Sequence, residues 1–286
     1  MTKIVFAGAA RDCGQFLPAV FANFERLSAL SDETGFVLIE NDSTDDTRQQ
    51  IEAWGRGRRN FIFHELKGLG RLPVRTLRLE FIRNLCLELA RGDSRFADYD
   101  VLCITDMDDV STRPLDPAAL RAALEFLRRA PDCAAIFGNN LGMYYDVWAF
   151  RHPELCPSDA WFEVVKASLV EGLPDQEAFD STFGKRIRTF APTLDHFEVH
   201  SAFGGFGLYR LDYVRRAPNP YVGSRVYALR DSGNQTHIVR MQQCEHVHFN
   251  EELRTLGGKL YLLPWLITSD TSNVTIPCHA FRSLIF

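Results

Sequence analysis

The sequence is short of several features that would classify it at once. No run of about 18 apolar residues occurs, so nothing in it reads as a membrane-spanning helix. The opening MTKIVFAGAARD turns polar too soon for a secretory leader. No CxxC pair exists among the seven cysteines at 13, 86, 103, 133, 156, 244 and 278. That absence argues against a zinc ribbon or a dithiol redox site, and the odd count against a disulfide framework, leaving buried reduced thiols as the expectation. Positive charge is not in excess either. The formal charge of −5 gives no overall pull toward nucleic acid, and any polyanion must be met by a local basic site. No internal repeat, low-complexity tract or linker interrupts the 286 residues, so one continuous cytoplasmic domain is expected.

What is present alternates. KIVFAGAARD is an apolar run ending in small residues, suited to a buried parallel strand that enters a ligand loop. FLPAVFANFERLSAL carries Phe16, Val20, Phe24 and Leu27 on one helical side. GFVLIEND is a second strand, followed by STDDTRQQIEAWGR, a helix with a Ser/Thr/Asp cap within Ser43 to Asp46. FIFHEL, the helix RTLRLEFIRNLCLELA and the strand YDVLCITDMDDV complete the first half. The expected fold class is α/β, a Rossmann-like, mostly parallel sheet with helices on both faces. After residue 110 the character changes. A helix, LDPAALRAALEFLRRAP, and a strand, CAAIFGNN, lead into the aromatic-rich stretches MYYDVWAFRHP, HSAFGGFGLYR and CEHVHFN. The halves are therefore set at 1–110 and 111–286.

In a sheet of this kind ligands sit beyond the carboxyl ends of the strands, which gathers ARD, END and DMDD on one rim. Asp106 and Asp108 are separated by one residue, so both can point to the same side. Two such carboxylates repel unless a cation, a proton or arginines compensate, and a divalent ion shared with phosphates is one solution. A solvated acidic turn is the other reading. Glu40 and Asn41 end a strand and can hydrogen-bond a base or ribose. On the helix from Arg75 to Ala90, Arg78 falls on the stripe of Ile82, Leu85 and Leu89 and so aims inward, where it needs an anion. Arg75 lies close by, and Arg83 projects further round, where it is as readily solvated as paired. Gly204 and Gly205 permit close backbone approach or a bulge. Glu245 is a general base or a salt-bridge partner. His246 and His248 alternate, and on an extended segment both face one way, as ligands for a first-row metal.

Taken in order, ARD, ENDSTDDT, RxxRLxFxRN, DMDD, YYDVWAFRH, HSAFGGFGLYR and CEHVHFN resemble the GT-A glycosyltransferases. More narrowly they resemble the fungal capsule-associated α-1,3-mannosyltransferase family and its bacterial relatives, from Lys3 to Asn250. The resemblance implies a nucleotide-binding first half, a donor-sugar and acceptor-binding second half, and a single GT-A domain. It implies a GDP- or UDP-sugar donor, a glycan or lipid-linked glycan acceptor, and a divalent metal, Mn²⁺ or in its place Mg²⁺. Asp106 and Asp108 match the motif that carries metal and diphosphate, and His246 or His248 completes the metal shell. Arg11, Glu40 and Asn41 match the nucleotide-facing loops, with Arg78 as support for the diphosphate. Asp146, Trp148, Arg151, Gly204 and Gly205 match the donor-sugar and acceptor crevice, and Asp146 or Asp180 can bind sugar hydroxyls. The fungal members carry a membrane anchor that is not seen here, which points to a cytoplasmic enzyme touching the inner membrane face at most peripherally. ENDSTDDT also resembles the NDGSTD stretch of a large inverting family. Retention, with the leaving phosphate taking the acceptor proton, is the outcome implied; inversion would enlist Glu245 as base. Transfer of mannose into surface or capsular polysaccharide is the expected function. Two alternatives stand beside it: a nucleotidyltransferase acting on sugar phosphates, whose Gly-rich loop AGAARDCG imitates poorly, and a silent carbohydrate- or nucleotide-binding module.

Overall fold

In the computed structural model, residues 2–218, 221–231, 233–272 and 276–285 are described. The first half alternates as its pattern predicts. β1 (Lys3–Ala10), α1 (Leu17–Ser28), β2 (Glu33–Asn41), α2 (Thr47–Gly55), β3 (Phe61–Leu66), α3 (Arg75–Gly92) and β4 (Val101–Thr105) follow in order. α4 (Pro117–Arg129) and β5 (Cys133–Leu141) continue the alternation. Then come α5 (Ala160–Val165), α6 (Asp175–Ser181), β6 (Phe197–Val199), β7 (Phe206–Arg210) and α7 (Leu211–Arg216). A hairpin, β8 (Ser224–Arg230) and β9 (Thr236–Gln242), precedes α8 (Glu245–Thr255) and β10 (Lys259–Asp270).

Among the described residues, eight strands form one sheet in the order β3-β2-β1-β4-β7-β5-β10-β6. β1 to β4 are mutually parallel, and β10 runs parallel to β5. β7 lies antiparallel between β4 and β5, and β6 antiparallel on β10. The sheet is thus mostly parallel, and strands from both halves of the sequence hydrogen-bond within it.

Side-chain alternation divides the core between the two faces. Ile4, Phe6, Phe36, Leu38 and Cys103 pack with α1 and α4, while Val5, Ala7, Val37, Ile39 and Leu102 pack with α3 and α8. Burial on both faces explains why these strands read as continuous apolar runs. α1 buries Leu17, Val20, Phe24 and Leu27, with Phe16 as its cap residue. At α2 the side-chain cap comes from Asp45, whose Oδ1 accepts from the Thr47 amide at 3.0 Å. All seven cysteines are unpaired and six are buried; burial pushes the Cys13 thiol up to about 11 and that of Cys86 up to about 12. Among the described residues no helix is long and apolar enough to cross a membrane.

One element departs from expectation. CEHVHFN is helical, not extended: α8 begins at Glu245 after the extended Cys244. Three alternating positions are too few to specify a strand. The continuation NEELRT favours helix, and Phe249 and Leu253, four apart, both reach the core.

Candidate active site

The carboxyl ends of β1, β2 and β4 open into a cleft of about 280 Å³ lined by Arg11, Asn41, Arg75, Arg78, Arg83, Asp106 and Asp108. Its floor is set by the three residues that follow β4. Met107 turns into the core, 2% exposed, and its Sδ would lie 2.6 Å from a Cβ on Gly8, so only glycine leaves room there. With Met107 held on one side, Asp106 and Asp108 share the other. The Asp106 amide donates to the Gly205 carbonyl at 3.0 Å, and Thr105 Oγ1 donates to the same oxygen at 3.0 Å. Gly204 and Gly205 have φ of +63° and +81°, a left-handed pair that brings this carbonyl against the aspartate loop.

The two aspartates differ. Asp106 Oδ1 accepts from Arg83 Nη2 at 2.9 Å. Asp108 Oδ1 is buried with no hydrogen-bond partner. Burial, and then the neighbouring Asp106 and Asp109, push its carboxyl up to about 7. Such a group calls for a cation or a proton. On the opposite side Arg11, Arg75 and Arg78 crowd one another. Burial, followed by Arg11 and Arg75, lowers the pKa of Arg78, whose Nη1 donates to the Leu72 carbonyl. Asn41 ends β2 with a buried Nδ2 that has no partner.

Arg78 and Arg83 both line the cleft, and Arg83 is the more deeply buried. Arg83 is 9% exposed, with its Nε 2.9 Å from Glu245 Oε1 and its Nη2 on Asp106, while Arg78 is only partly buried. The buried stripe of α3 is Thr76, Ile82, Arg83, Cys86, Leu87 and Ala90, rotated by about one residue from the expected one. The helix carries leucines and isoleucine most of the way round, so periodicity leaves its phase weakly determined. No feature of the sequence alone singles out Arg83, or the cleft-lining Tyr221.

The histidines do not converge. On a helix, positions 246 and 248 lie about 200° apart. His246 is buried with both ring nitrogens unpartnered and stacks on Phe203 at 3.6 Å between centroids; His248 is partly buried. Burial, then Arg83, drive the His246 pKa well down. Among the described residues no group of three or more His, Cys, Asp or Glu side chains could hold a metal ion, so the four expected ligands are not assembled as a set. Glu245 is 4% exposed and is not among the cleft-lining residues.

The remaining expected residues are dispersed. Glu40 is buried and accepts from the Ser43 amide at 2.6 Å; it lines a neighbouring open polar groove, which shares Arg11 with the cleft. Asp146 accepts from the Gly204 amide at 3.0 Å and the Ala149 amide at 3.1 Å, and burial raises its carboxyl to about 6. It thereby braces the glycine loop behind Asp106. Arg151 spends its guanidinium on the Trp148 and Phe150 carbonyls at 2.9 and 2.8 Å and on Asp159 at 2.7 Å. Trp148 is partly buried, with an unpartnered Nε1. Asp180 is exposed on α6, bonded to Gln176 at 2.8 Å.

The mostly parallel sheet with an inserted antiparallel strand matches the GT-A class of fold. The mannosyltransferase from Pyrobaculum calidifontis, solved with GDP-Man and Mn²⁺, matches it with a TM-score of 0.50 at 13% identity, over 98% of this chain and 59% of that one. S. aureus TarS residues 1–349 match with a TM-score of 0.46 at 14% identity, over 94% of this chain and 60% of that one. The chain thus spans about three fifths of the length of these glycosyltransferases, and at such identities the likeness speaks to the fold. No protein-family model and no curated protein matches the sequence.

Proposed function

We propose that this chain is a nucleotide-sugar-dependent glycosyltransferase that moves a hexose, mannose by preference, from a GDP- or UDP-linked donor to a glycan or lipid-linked glycan acceptor. The observation that carries this reading is the pairing, in one cleft, of Asp108, with its unpartnered buried oxygen, and the crowded arginines Arg11, Arg75 and Arg78. Asp108 has an oxygen without a partner, and the arginines carry more positive charge than Asp12, 3.6 Å from Arg11 Nε, offsets, which suits a metal-bound diphosphate. The orphaned oxygen and raised pKa of Asp108 fit a divalent cation, Mn²⁺ or Mg²⁺, and Asp108 with Asp106 would hold it. When bound, such a cation supplies Lewis acidity against the charge that grows on the leaving diphosphate. The three arginines, Arg78 among them, bind the phosphate oxygens from the other side, preorganised for that charge, while Arg83 holds Asp106. Asn41 offers its free amide to the nucleoside.

Burial of Glu245 against Arg83, outside the cleft lining, supports retention over inversion. In retention the acceptor oxygen bonds the anomeric carbon on the face the phosphate leaves, the carbon–phosphate oxygen bond breaks with its electron pair going to the diphosphate, and that phosphate takes the acceptor proton. The motif resemblance supports a place in surface or capsular polysaccharide synthesis, with the acceptor met at the inner membrane face. Calorimetry with GDP and UDP, with and without Mn²⁺, tests the reading. Binding of one diphosphate should tighten at least tenfold with Mn²⁺ and collapse in Asp108→Ala, and that nucleotide's mannose conjugate should show slow donor hydrolysis. Tight, metal-independent binding in Asp108→Ala would sink it.

A further inference from the structure

Asp106 and Glu245 share a single guanidinium. Arg83 hydrogen-bonds Asp106 Oδ1 through Nη2 at 2.9 Å and forms an ion pair with Glu245 Oε1, 2.9 Å from Nε, without a hydrogen bond. The rings of Phe203 and Tyr221 flank the guanidinium, with centroids 5.0 and 5.9 Å from its central carbon, so little water screens the line of charges. Of the three groups, Asp106 and Arg83 face the cleft, and Glu245 stands behind them.

This order has a consequence for any cation drawn to Asp106 and Asp108. Such a cation approaches a carboxylate that Arg83 already occupies, and two positive charges on one carboxylate repel. Glu245 offers Arg83 an alternative anion on the side away from the cleft. A guanidinium is suited to this because its fork can bind two carboxylates at once and it stays charged throughout.

We propose that Glu245 is a positioning residue that sets the cation affinity of the Asp106–Asp108 site through Arg83, although it touches neither the cation nor the cleft. The proposal rests on the reading of the cleft as a metal–diphosphate donor site. Filling of that site moves the guanidinium from a shared position toward Glu245. Glu245 is also the first residue of α8.

A double-mutant cycle on Mn²⁺ binding, measured by calorimetry on the full chain with and without GDP or UDP, tests it. Glu245→Gln keeps the shape and removes the charge, leaving Arg83 to Asp106 alone. The Mn²⁺ dissociation constant should rise about tenfold, within the range for directly coupled neighbours. In an Arg83→Met background the same substitution should change it less than about threefold, because the intermediary is gone. Arg83→Lys, which keeps one charge and loses the fork, provides a second background in which the Glu245→Gln penalty should shrink, and it serves if the methionine variant does not fold. An unchanged Mn²⁺ affinity in folded Glu245→Gln, or an undiminished penalty in the Arg83 variants, overturns the relay. Absence of Mn²⁺ binding by the wild-type chain, with or without nucleotide, overturns the donor-site reading itself and the relay with it.

Discussion

Arg83 and Arg151 are both nearly buried arginines, at 9% and 8% exposure, and they differ in what surrounds them. Arg151, expected in the sugar crevice, is neutralised by Asp159 and capped by two backbone carbonyls. Arg83, for which the sequence left solvent as an equal alternative, sits between two carboxylates beside a third, Asp108, that has an oxygen with no partner. A buried charge whose partners are complete is a brace. A cluster whose charges remain partly unmatched is a place where something else binds. The difference lies in the local account of donors and acceptors, since burial is nearly the same.

The largest effect expected from breaking this comparison is on the brace. Arg151→Met leaves the partly buried Asp159 without its cation, and should cost roughly 3 kcal/mol of stability by urea denaturation. Nucleotide diphosphate affinity of the folded fraction should stay within about twofold. A fall in affinity without a fall in stability would reverse the roles assigned to the two arginines.

A smaller effect is expected at the support beneath the cleft. Gly205→Ala would force a side chain into φ +81° with its Cβ 3.0 Å from Val110 Cγ2. The left-handed backbone alone costs about 1–2 kcal/mol. Because the Gly205 carbonyl holds the Asp106 amide, Mn²⁺-dependent nucleotide binding should weaken along with the denaturation midpoint. Equal nucleotide binding in the variant would separate the glycine loop from the site.

A third effect is in pH. The folded-state pKa of Asp108 is raised from 3.8 to about 7, so the folded chain holds this proton more tightly than the unfolded chain does. Its contribution is therefore most favourable below pH 3.8 and is lost as pH rises toward 7. In chelator-treated protein, Asp108→Asn should raise the urea midpoint more at pH 7.5 than at pH 5, and Mn²⁺ should narrow that gap for the wild type. A variant equally stabilised at both pH values would remove Asp108 from the set of unmatched charges.

Much of this was legible in the residues. The order of strands and helices through β5 followed from apolar runs and helical spacing, and the acidic pair of β4 followed from one-residue separation at a strand end. The phase of α3 was not legible, because a helix apolar on most sides carries no strong directional signal. The conformation of 244–250 was misread because three alternating residues fit a strand and a helix equally well. Arg151 was placed by motif, and a motif does not show whether an arginine meets an Asp across a loop.

The sequence by itself determined a mostly parallel α/β sheet whose rim gathers Arg11, Asn41, Asp106 and Asp108, because periodicity and strand ends are local properties of the chain. Only the tertiary structure decided which charges remain unmatched. Arg83 meets Asp106 and Glu245 across separations of 23 and 162 residues, and such a pairing depends on how helices rotate against the sheet, which a single helix does not encode.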